Sequence, residues 1–171
     1  MLTRPAITHA LIEAGLKPGD SLIVHSSLRR LGPVDGGADA VIDALLDAVG
    51  PDGTLAMPSF NYVGHIPQPY YDVRETPGRT GVLTEVFRRR PGTVRSIHPT
   101  HAMIAQGPRA AELMAYDPAV RAVGPGSPID RLTRAGAYVL LLGTTHESNT
   151  TVHLGEEYAG VRKFFWWDGP L

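Results

Sequence analysis

Apolar residues follow two different periods along this chain, and the alternation between them sets the expected fold. In "ADAVIDALLDAV" (38–49) they recur at three- and four-residue spacing, which places Val41, Ile42, Leu45, Leu46 and Val49 on one helical face. "SLIVH" (21–25), "TLAMP" (54–58), "AMIAQG" (102–107) and "AYVLLLG" (137–143) are short unbroken apolar runs bounded by turn residues, the pattern of buried strands. Further helices are expected over 5–14, with Thr3 as a cap and Gly15 as a stop, and over 80–90. Two more are expected in "PRAAELMAY" and around "SPIDRLTRAG". Strands alternating with helices predict an α/β fold, a layered sheet covered by helices on both faces. In such sheets ligands collect beyond the strand ends, where the "HSSL", "HPTH" and "TTVH" segments fall.

Between Ser59 and Arg79 runs a long irregular stretch rich in proline and aromatic residues, a length that loops reach mainly when they serve a function. The chain suits one domain spanning 1–171. It has no cysteine, which removes disulfides, thiolate metal sites and cysteine nucleophiles. A formal net charge of −1 gives no basic field for nucleic acid, and no apolar run is long enough for a membrane span or a signal peptide. A cytoplasmic protein is expected.

Three segments carry candidate chemistry. In "VHSSLRRLG", Ser26 and Ser27 offer hydroxyls at a strand end beside Arg29 and Arg30, a set suited to phosphate oxygens and equally to an ordinary solvated loop. In "RSIHPTH", His98 and His101 flank a rigid proline downstream of Arg95 and Ser96, and suit either a substrate loop or a metal site completed by His153 and Glu156. In "GTTHESNTTVHLGEE", His153 precedes Glu156 by three residues and Glu157 by four, so imidazole and carboxylate share one helical face. A carboxylate partner fixes the tautomer and raises the basicity of a histidine, which equips it as a general base. "RAVGPG" (121–126) fits the Arg-x-x-Gly-x-Gly signature of the common N-acetyltransferase fold, but prolines interrupt it and no strand leads into it, so it is a loop. No Gly-x-Ser-x-Gly elbow is present.

Taken in order, "GLKPGDSLIVHSSLRRLGPVDGGADAVIDALLDAVGPDGTLAMPSF", "RSIHPTHAMIAQG", "GPGSPIDRL", "VLLLG" and "SNTTVHLGEE" resemble the aminoglycoside 3-N-acetyltransferase family over about residues 14–159. The resemblance implies that family's own α/β fold, distinct from the common N-acetyltransferase fold. It also implies transfer of acetyl from acetyl-CoA, without a metal, to the 3-amino group of a 2-deoxystreptamine antibiotic, and so antibiotic resistance. His153 would be the general base, with Glu156 and Thr151 beside it. Ser26, Ser27 and Leu28 would hold the coenzyme, and Arg95, Ser96, His98 and Thr100 would line its channel. The acceptor would be an aminoglycoside or a related amine. Members of the family continue past the "KFFWWDGPL" of this chain, so a C-terminally shortened domain is expected, with the aromatics at 164–167 docked elsewhere in the fold or in a homodimer. A His- or metal-dependent hydrolase and a coenzyme-binding relative without turnover are the competing readings.

Overall fold

The computed structural model describes residues 1–61 and 71–161. The middle of the long irregular stretch and the terminal aromatics therefore lie outside the described residues. The elements run α1 (Arg4–Glu13), β1 (Ser21–Ser26), α2 (Leu28–Leu31), α3 (Gly37–Val49), β2 (Thr54–Pro58), α4 (Val82–Arg88), β3 (Val94–Arg95), β4 (Met103–Gln106), α5 (Ala110–Met114), α6 (Pro128–Arg134), β5 (Tyr138–Leu142) and α7 (Val152–Tyr158). The Thr3 hydroxyl accepts from Ala6 N–H at the start of α1, and Ser127 caps α6 by accepting from Asp130 N–H.

One five-stranded sheet, in the order β3-β4-β2-β1-β5, organises the chain. β1 pairs in parallel with both β2 and β5, whereas β4 runs antiparallel to β2 and to β3. The sheet is thus mixed, and "VR" at 94–95 adds a strand that the apolar pattern does not reveal. The connection from β3 to β4 is too short for a parallel crossover, so the chain returns antiparallel.

Alternation along the strands divides the core. Leu22 and Val24 of β1, with Leu55 and Met57 of β2, pack under α1, α3 and α4. Ile23, Ala56, Met103 and Ala105 point to the opposite face, under α5, α6 and α7. Helices on both faces explain why the middles of the central strands, Leu22 to Val24 and Leu55 to Met57, are apolar at every position. A fully buried side chain such as Ile23 contributes roughly 1.5–3 kcal/mol. β5, the most continuous apolar run, is an edge strand, and its Tyr138 and Val139 are exposed. "LRRL", expected as loop, forms the single turn α2, and α4 and α5 are shorter than the pattern suggests. "RAVGPG" is loop. No helix among the described residues is long and apolar enough to cross a membrane.

Candidate active site

Strand directions bring the three sequence segments to one edge of the sheet. β1, β2 and β5 are parallel, so the residues leaving them lie together, with Ser26 paired to Leu142. β4 enters from the same edge, Met103 pairing with Pro58, which puts the His98–His101 loop there too. Backbone bonds tie the segments: Ser27 N–H donates to Leu142 O (2.9 Å), Ser59 N–H to Ala102 O (2.8 Å) and Asn61 N–H to Thr100 O (3.1 Å). Gly143 permits the closest approach. Its φ is +66°, and a Cβ there would lie 2.8 Å from Ser27 O.

α7 carries the imidazole–carboxylate pair. Leu154 sits in the core, Arg121 reaches Glu157 (3.0 Å), and the Tyr158 hydroxyl donates to buried Asp130 (2.7 Å). With those side chains anchoring the helix, His153 and Glu156 are left on its partly exposed face. His153 Nδ1 lies 2.6 Å from Glu156 Oε2, the two side chains being 32% and 35% exposed. Against an ionised carboxylate this contact places the ring proton on Nδ1 and the ring lone pair on Nε2. Spacing alone left Glu156 and Glu157 equivalent; the ion pair to Arg121 separates them.

The other histidines at this edge are treated differently. His98 is buried, and its Nδ1 accepts from the N–H groups of both Thr100 (3.2 Å) and His101 (2.9 Å). Its ring proton is thereby assigned to Nε2. His101 Nδ1 lies 2.8 Å from the Thr100 hydroxyl, and its ring is 4.7 Å from that of Phe60. Burial pulls His98 down to about 4. His101 falls to about 4 through burial and then through its neighbours His98 and His153, which links the 98–101 loop to α7. His25, which closes β1, is also buried and held at about 4, and its Nε2 stands 3.4 Å from the Thr151 hydroxyl at the start of α7. The sequence reading passed over His25. Its signal was a polar residue ending an otherwise apolar strand.

The remaining expected residues divide by what their polar atoms already hold. The Ser26 and Ser27 hydroxyls, both half-buried, make no hydrogen bond to a described residue, although Ser27 stands at the N-terminus of α2. Leu28, the first residue of α2, packs partly buried against the core. Ser96 is 1% exposed, with its Oγ accepting from Met103 N–H, so the expectation that it faces a ligand meets a hydroxyl closed off by β4. Arg95 is spent on carbonyls, donating to Val73, Thr76 and Ser59, and lies over the Tyr71 ring. Among the described residues no group of three or more His, Asp or Glu could hold a metal ion.

A family model described as aminoglycoside 3-N-acetyltransferase matches residues 23–166. Aminoglycoside N(3)-acetyltransferase III from Salmonella sp is 36% identical to the chain, over 97% of this chain and 64% of its own length. Among solved structures, a point variant of aminoglycoside acetyltransferase AAC(3)-IVa in complex with a gentamicin superposes with a TM-score of 0.85 at 37% identity, over 92% of this chain and 60% of that one. AAC-IIIb, solved as a binary complex with CoASH, gives 0.82 at 33% identity, over 90% of this chain and 64% of that one. The chain therefore spans less than two thirds of the length of these relatives. Its sequence and its fold agree in one assignment: the chain belongs to the aminoglycoside 3-N-acetyltransferase family.

Proposed function

We propose that this chain transfers acetyl from acetyl-CoA to the 3-amino group of a 2-deoxystreptamine aminoglycoside, so conferring resistance, with His153 as general base. The carrying observation is the 2.6 Å contact between His153 Nδ1 and Glu156 on a half-exposed helical face. Family membership supports the reaction class, and relatives solved with CoASH and with a gentamicin support the two substrates.

Acetyl-CoA supplies an acetyl thioester. An amine attacks it only when unprotonated, and aminoglycoside amines are mostly cationic at neutral pH. His153 takes a proton from the attacking amine at Nε2 as the N–C bond forms, a contribution of typically 10²–10⁴-fold, and as the C–S bond breaks the departing coenzyme thiolate takes that proton to leave as the thiol. Glu156 holds the ring through Nδ1–H and balances the imidazolium that results. The Thr151 hydroxyl, beside His25, is a donor for charge developing on the acyl oxygen. The uncommitted hydroxyls of Ser26 and Ser27, with the backbone at Leu28, hold the coenzyme. His98 and Thr100 form the neighbouring wall. Arg95 and Ser96 act on this wall through the shape of the loop, since their polar atoms are already bonded within the fold.

The test is thiol release from acetyl-CoA by this chain with gentamicin-type aminoglycosides, with the acetylated nitrogen located by NMR. Stoichiometric release with acetylation at N3 is expected. No release above the uncatalysed rate would overturn the reading.

A further inference from the structure

The acetyl-transfer chemistry above makes no use of "GPGSPIDRL" (124–132). Ser127 caps α6, and Ile129 and Leu132 bury in the core on that side of the sheet, so this helix is a fixed support. Asp130, its third residue, is 2% exposed. In a capping box the acidic side chain of the third helical residue turns back to the N–H of the cap residue. Here Oδ2 reaches one residue further, accepting from Gly126 N–H (2.7 Å), and Arg134 Nε donates to both oxygens (3.1 and 3.0 Å). Oδ1 also takes a donor from another element, the Tyr158 hydroxyl of α7 (2.7 Å), 28 positions away. Arg134 Nη2 donates to that hydroxyl oxygen (2.8 Å), so the hydroxyl proton is directed at Asp130. Burial works to raise the pKa of Asp130, but Gly126 N–H, Tyr158 and Arg134 hold it below the ordinary carboxylate range. The contact between the two helices is thus a charge-assisted hydrogen bond.

α7 has need of such a fastening. Of its seven residues, Leu154 is the buried one. At about 100° per residue, Leu154 and Tyr158 lie about 40° apart, on the face toward the core and α6. His153 and Glu156 are turned about 100° or more away from that face. An imidazole nitrogen stands about 6 Å from the helix axis, so a rotation of about 10° carries it about 1 Å. A misplacement of about that size can cost on the order of 10²-fold in rate.

We propose that Tyr158 is a positioning residue for acetyl transfer: its bond to Asp130 fixes the rotation of α7 and so aims His153 Nε2 at the amine. This rests on the reading of His153 as general base. The "GPGSPIDRL" segment then serves the reaction from a distance, as the support to which α7 is fastened.

The test is steady-state kinetics of the full chain with acetyl-CoA and a gentamicin-type aminoglycoside, alongside melting curves and calorimetric binding of coenzyme A. Tyr158→Phe keeps the half-exposed ring and removes only the donor. It should lower kcat about tenfold or more and leave both KM values within about twofold. Unchanged coenzyme affinity then shows that the variant is folded. Ile7→Val trims the core on the opposite face of the sheet and is the control for stability alone. Its melting temperature should fall while its kcat stays within about twofold of wild type. Because Tyr158 acts through His153, adding Tyr158→Phe to His153→Ala should change the residual rate by less than about twofold. Four results overturn the positioning role and leave His153 as base: an unchanged kcat for Tyr158→Phe, a loss carried by KM, an equal loss in Ile7→Val, or a full further loss in the His153→Ala background. A wild type without turnover, or His153→Ala within about tenfold of wild type, overturns the general-base reading and the positioning role together.

Discussion

The loop at 96–103 and helix α7 bring histidines to the same edge of the sheet and give them opposite environments. His98 and His101 are surrounded by backbone N–H groups, a threonine hydroxyl and aromatic rings. His153 is half-exposed and bound to Glu156. Burial disfavours the imidazolium, so His98 and His101 stay neutral until pH approaches about 4. His153 instead has a carboxylate at Nδ1, which fixes its tautomer. The difference teaches that partner and access to solvent, not nearness to one end of the sheet, set the environment of a histidine.

Breaking the α7 side of the comparison should have the largest effect. His153→Ala is expected to lower kcat by about 10²–10⁴-fold while coenzyme binding by calorimetry persists. Turnover within about tenfold of wild type would remove His153 from the role of base. Glu156→Gln keeps the shape and removes the charge, and should cost about 10- to 100-fold in kcat, less than one full general-base contribution. A loss equal to that of His153→Ala would mean that the pair acts as one unit.

On the loop side the expected readout is stability. His98→Ala leaves two part-buried N–H donors without their acceptor and empties a buried side-chain site, and should lower unfolding free energy by about 1–3 kcal/mol in urea titrations. A change under about 0.5 kcal/mol, the scatter of surface substitutions, would show that His98 does not hold the loop.

Acid should act on the same buried rings. His25, His98 and His101 have folded-state values near 4 against the ordinary 6.5, so between those values the unfolded chain binds more protons. Stability therefore rises with pH across this window, and the melting temperature should fall steadily as pH drops from about 6.5 to 4. Glu85 adds to that fall only at its lower end: burial pushes its pKa up, but hydrogen bonds from Arg88 and Gly78 N–H outweigh this and bring it down to about 2. Its stabilisation is present above its unfolded value of 4.5 and is lost only as pH falls below that toward 2. A flat melting curve from pH 6.5 to 4 would show that the buried rings accept protons freely.

The smallest effect is expected at the joint between the two regions. Thr151→Val removes a long contact to His25 and one donor at the site, and should lower kcat by about tenfold or less with stability changed by about 1 kcal/mol. An unchanged kcat would remove Thr151 as a donor to the acyl oxygen.

Much of this architecture is legible in the order of residues. The α3 stripe, the strands β1, β2, β4 and β5 and the cap at Thr3 follow from neighbours within one or two turns of chain, and the structure has them. β3 was invisible because two residues carry no period, and α2 because one turn of "LRRL" resembles a polar loop. Ser96 was expected in the coenzyme channel from the family resemblance, and a serine beside an arginine in a loop gives no sign of its burial. Only the pairing of 96 with 103 closes its hydroxyl.

By itself, then, the sequence determined the helices other than α2, the apolar strands and the meeting of His153 with a glutamate, since each depends on residues a few positions apart. Tertiary structure decided the reversal of β4, the ion pair that engages Glu157 and separates it from Glu156, and the neutrality of His25, His98 and His101. The physical reason is distance along the chain. Arg121 selects the glutamate from 36 positions away, and burial is a sum over neighbours contributed by every layer of the fold.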